Sequence, residues 1–120
     1  MIDDSALRLT MAGLQLAPAG VEWDLVKVGR HWGVRAIEQI AELGAVAVDP
    51  SPREPMLYFF VPKGSAVDWN VPQTTALGRE SYVVLPPARK EEPPGPYWLV
   101  PQHKGLTSAV DLQRALESVR

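Results

Sequence analysis

The sequence predicts an α+β fold, a mostly antiparallel or mixed sheet of about 4–6 strands with two helices packed on it. Three observations carry this. Apolar runs are short and cut off by proline or glycine, as strands are. Apolar residues recur at helical spacing in two places only, near 31–43 and 108–119. The strands fall in succession between those helices, which favours antiparallel pairing over a wound parallel sheet.

The elements follow in order. Leu7, Leu9 and Met11 alternate with polar residues, and so do Leu14 and Leu16. Residues 1–20 therefore read as half-buried strands turning at Ala12-Gly13, with a short helix as the competing reading. Trp23 to Val28 is a strand ended by Gly29. Val34, Ile37, Ile40 and Ala41 predict a helix from His31 to Leu43, with Gly44 in the C-cap position. Ala45 to Val48 is a strand stopped by Asp49-Pro50. Leu57 to Val61 is almost wholly apolar, the pattern of a central strand covered on both faces. Ser81 to Leu85 is expected in the same sheet and stops at Pro86-Pro87. Residues 86–96 hold five prolines, which predicts a stiff, solvated loop. Tyr97 to Val100 is the last strand. Thr107 or Ser108 then caps a final helix whose apolar stripe is Leu112, Leu116 and Val119.

A chain of 120 residues fits one domain, 1–120, with a single core. Cysteine is absent, so disulfides, thiol nucleophiles and thiolate metal sites are excluded. No apolar run approaches the ~18 residues of a membrane span, and Met-Ile-Asp-Asp is acidic where a signal peptide is basic. A cytoplasmic protein is expected. The net charge is -2 and the basic residues are scattered, which disfavours general nucleic-acid binding. The excess of arginine over lysine, with little isoleucine or asparagine, fits a GC-rich bacterial coding sequence.

Chemistry-bearing motifs are few. His31 and His103 are far apart and lack carboxylates at metal-ligand spacing; they read as surface or helix-start residues. Gly64-Ser65-Ala66 lacks the second glycine of a nucleophile elbow. Gly29, Gly33 and Gly44 do not form a dinucleotide fingerprint. Asp24 and Asp49 stand at strand ends, where an aspartate either serves chemistry or ends the strand. Trp69 is the distinctive tryptophan. It lies in Val67-Asp-Trp-Asn-Val-Pro72, between strands. It either folds back on the core or anchors an interface.

Leu57-Tyr-Phe-Phe-Val-Pro62, Gly78, Ser81-Tyr-Val-Val-Leu-Pro-Pro87 and Tyr97-Trp98 resemble the N-terminal domain of bifunctional DNA primase/polymerases, over roughly residues 22 to 100. The resemblance implies paired acids holding a divalent metal under a nucleoside triphosphate. One acid position falls on Asp24, and its partner near Val26 or Lys27. The family's histidine falls on Met56, and its later acidic and basic pair among Gln73, Thr74 and Thr75. It therefore implies a truncated, catalytically degenerate relative, with Lys27 as a cation where the metal would sit.

The expected function is a non-catalytic interaction or regulatory module that recognises a protein partner, a second copy of the chain included. A nucleic-acid- or nucleotide-binding remnant, resting on Lys27, Arg30 and Arg35, is the alternative, and a small enzyme using Asp24, Asp49 and His31 is the third. The expected binding residues are Val67, Asp68, Trp69, Lys27 and Arg30. No catalytic residue, metal or cofactor is expected, and no membrane partner. Residues 63–73 are expected outside the regular sheet, carrying whatever partner surface exists.

Overall fold

The computed structural model describes residues 8–9, 15–51 and 53–120. Two short strands, β1 (Arg8–Leu9) and β2 (Gln15–Pro18), pair antiparallel. The strand reading of the N-terminal region thus holds there; the turn expected at Ala12-Gly13 lies outside the described residues. Then follow β3 (Trp23–Gly29), α1 (Arg30–Ile37), β4 (Val46–Asp49), β5 (Met56–Pro62), a 3-10 turn at Ser65–Asp68, and β6 (Thr75–Leu77). The chain continues through β7 (Tyr82–Leu85), β8 (Tyr97–Val100), a 3-10 turn at Gln102–Lys104 and α2 (Ala109–Ser118). This is an α+β fold built on two antiparallel sheets, in the orders β6-β3-β5-β4-β8 and β1-β2-β7.

The apolar run of β5 sits at the centre of the five-stranded sheet, as its composition demands. Alternate residues of neighbouring strands fill its two faces. On one face Val26, Val28, Val46, Leu57, Phe59 and Val61 meet Ala36 and Ile40 of the α1 region and Leu112, Leu116 and Val119 of the α2 region. On the other, Leu25, Ala47, Phe60 and Trp98 meet Ala17, Val83 and Leu85 of the smaller sheet. The molecule is therefore layered, helices on one side of the main sheet and a second sheet on the other.

Two expectations are corrected. Tyr82–Leu85 does not join the sheet of Leu57–Val61; β7 pairs with β2, in the register Ala17↔Val83. Its four apolar residues conceal an alternation in which Tyr82 and Val84 are exposed while Val83 and Leu85 are buried, the signature of a strand covered on one face. The first helix also ends at Ile37 rather than Leu43. Its end tightens, with Gln39 N–H donating to Ala36 O and Ile40 N–H to Ile37 O. Three-residue bonds of this kind close a helix end, and Ile40 is delivered into the core.

Gly44 consequently caps nothing. Its N–H donates to Thr107 Oγ1 at 2.8 Å, and a Cβ there would lie 2.5 Å from Gly105 O. Glycine is required because two backbones cross. Gly33 is the second such case, since a Cβ would meet Leu57 Cδ1 at 2.7 Å where α1 rests on β5. The α2 cap is as expected, with Ser108 Oγ accepting from Asp111 N–H at 3.3 Å. The strand β6 was not anticipated. Its residues Thr-Ala-Leu carry no strand pattern of their own and pair only because β3 offers an edge.

Candidate functional site

The register of the main sheet places a polar row on an otherwise apolar face. Lys27 on β3 stands opposite Thr75 of β6 on one side and Tyr58 of β5 on the other, and Tyr58 stands opposite Ala47 of β4. Asp49 lies two residues beyond Ala47 and so projects to the same side. The next row, Leu77, Leu25 and Phe60, is apolar and lies in the cluster beneath β2 and β7. The smaller sheet thus covers the apolar part of the face, and the polar row stays open. Between them lies a cleft of about 320 Å³, floored by Lys27, Tyr58, Thr75 and Asp49 and walled by residues 82–84 of β7 and by Pro96 at the end of the proline-rich loop. Burial, and after it the Asp49 carboxylate, raise the Tyr58 hydroxyl above the usual tyrosine range. The floor thus carries a carboxylate side chain, Asp49, at its β4 end and an amine side chain, Lys27, at its β3 end.

The wall of this cleft is a strand edge left unpaired among the described residues. Ala19 N–H donates to Ser81 O at 2.8 Å, which makes Ala19–Ser81 a hydrogen-bonded pair. By antiparallel alternation Ala17–Val83 and Gln15–Leu85 are the others. Val83 and Leu85 direct their backbone groups to β2, whereas Tyr82 and Val84 direct theirs away. Among the described residues no strand lies on that side. Pro18, opposite Tyr82, sits where no N–H toward β7 is needed.

A second open cleft, of about 630 Å³, is lined by Val21, Asp24, Lys63, Gly64, Val67 and Arg79, among others. Asp24 is 2 % exposed. Its Oδ2 accepts the N–H of Gly64 at 3.0 Å and of Ala66 at 2.8 Å. The carboxylate caps the 3-10 turn and fixes the loop that follows β5. Neighbouring Val67 is 82 % exposed.

The binding residues expected from sequence do not form one site. Lys27 floors the first cleft, and Val67 rims the second. Asp24 and Lys27, three apart on one strand, line different clefts on opposite faces of the sheet. The residue beside Asp24 on its own face is Val26, in the core. Arg30 is exposed at the start of α1, its N–H donating to Pro55 O. Arg35 lies with His31 and Trp32 in a third pocket. Asp68 is exposed in the turn after Asp24's ligands. Trp69 folds back: it packs on the helix-side core and its Nε1–H donates to Thr74 Oγ1 at 2.8 Å. The segment 63–73 does lie outside both sheets, but its tryptophan faces inward.

Tyr58, Thr75 and Tyr82 were missed. The available signal was a polar residue inside each of two apolar strands, Lys27 and Tyr58, which only the register brings side by side. Among the described residues no group of three or more potential ligands could hold a metal, and no helix is long and apolar enough to cross a membrane. Compared with family models, with curated proteins and with solved structures, the chain has no match.

Proposed function

We propose that the protein is a non-catalytic recognition module of the cytoplasm that binds a partner protein, taking an extended segment of it as an added strand along β7. One observation carries this reading: among the described residues β7 has an unpaired edge facing a cleft, with Tyr82 58 % and Val84 40 % exposed. An edge of this kind is a ready template for another chain, and strand addition is a recurring mode of peptide recognition. Pro86 follows at the next position that would turn an N–H outward, so the free edge offers two N–H donors, those of Tyr82 and Val84, and ends there. That restricts the edge to a short segment.

The nucleic-acid alternative draws less support. Lys27, Arg30 and Arg35 do not converge on one groove, since Lys27 floors the first cleft and Arg35 lines the third. The primase/polymerase resemblance is kept as a proposal about ancestry, and it assigns no chemistry here.

A photo-crosslinking residue placed at Tyr82, and another at exposed Val110 on α2 as a control, tests the reading in the native cell. A protein captured from position 82 and not from 110 is expected. Equal capture at both positions, or none, would count against it.

A further inference from the structure

The free edge of β7 lies above the polar row of the main sheet, and this selects its occupant. Sheets stack about 10 Å apart. A strand added to β7 would lie one layer above Lys27, Tyr58 and Asp49, in the cleft those residues floor. A second folded copy cannot supply that strand edge to edge. Its own β7 rests on its own five-stranded sheet, and the space beneath is already filled by this one. The occupant is a segment without a sheet of its own attached below it.

The floor then sets the segment's chemistry. The cleft crosses strands β6, β3, β5 and β4, and β7 walls it over three successive residues, so a strand along β7 runs along the floor. Its inward side chains recur about every 7 Å. Lys27 and Asp49 stand on strands separated by β5 and are offset by two residues along the sheet, about 12 Å apart; a long side chain on each side of the contact takes up the difference. Tyr58 lies on the strand between them and lines the same cleft.

Resting on the strand-addition reading, we infer that the cleft beside β7 recognises an extended partner segment carrying an acidic and a basic residue two positions apart, the acid over Lys27 and the base over Asp49. The outward residues of the segment continue the exposed face of Tyr82 and Val84, so apolar or β-branched residues belong there.

The full chain, labelled for amide NMR, is titrated with three synthetic peptides: Thr-Val-Glu-Val-Lys-Val-Thr, its order-reversed form with lysine before glutamate, and a control with glutamine at both positions. One charged order is expected to bind about tenfold or more tightly than the control, because only one order matches the strand direction. The Tyr82 and Val84 amide protons should become protected on binding. Val84→Pro removes a free donor that β2 does not use, a substitution an edge tolerates. It should abolish binding while leaving the unfolding midpoint in place. The double variant Lys27→Glu with Asp49→Lys should switch the preferred order. Equal binding by all three peptides with protection at Tyr82 and Val84 would overturn the charge pattern and leave strand addition standing. Binding that survives Val84→Pro, or protection elsewhere, overturns both. No binding by any peptide overturns the charge pattern, while crosslinking at Tyr82 judges strand addition separately.

Discussion

Asp24 shows how much one side chain can organise. A buried carboxylate is costly unless hydrogen-bonded, and here two backbone N–H groups of the loop after β5 meet it. Asp24→Ala leaves both donors without their acceptor and is expected to lower stability by about 2–3 kcal/mol, read by urea denaturation. Asp24→Asn keeps an acceptor and should lose less; equal losses would show that the negative charge, not the hydrogen bonds, holds the loop. Tyr58 gives a prediction in pH. Its hydroxyl is raised above the ordinary value near 10, so the folded chain holds that proton more tightly than the unfolded one. The associated stability is fully present below about pH 10 and is lost as pH climbs from there through the raised folded value. Asp49→Asn removes the second of the two causes and should narrow the shift, measured by tyrosinate absorbance.

At the level of elements, packing decides which sequence signals hold. Phe59 is fully buried at the centre of β5, and Phe59→Ala should cost about 3–5 kcal/mol. Trp69 is half-buried, so Trp69→Ala should cost about 2–3 kcal/mol; an unchanged midpoint would return it to the role of an interface anchor. Gly44→Ala forces apart two backbones and should cost about 1–3 kcal/mol, read in the same denaturation series. The strands and the final helix were legible because their patterns are local: β5 is continuous in apolar residues, and α2 carries both cap and stripe. The end of α1 was not, because Glu38 to Leu43 keep helical spacing and only the Gly44–Thr107 crossing shows why the chain must leave the helix early. The sheet of β7 was not legible either, since Tyr-Val-Val-Leu reads as buried on both faces. The candidate cleft was half legible. Lys27 stands out in an apolar strand, but its neighbours come from strands 31 and 48 residues away and need the register to be known.

For the whole molecule, the two apolar clusters lie on the two faces of one sheet, so neither outer layer can leave without exposing a face of the sheet between them. A single calorimetric transition is expected, with an enthalpy of about 80 kcal/mol for a chain this long; two resolved peaks would show that the smaller sheet melts on its own. The face beneath α2 has a temporal side as well. Leu112, Leu116 and Val119 cover Val46, Leu57 and Phe59, yet they are synthesised some fifty residues after β5. A ribosome adding about 5–20 residues each second therefore leaves that apolar surface bare for seconds while the nascent chain waits for its cover. During that interval the central strands present the same kind of apolar surface that drives aggregation.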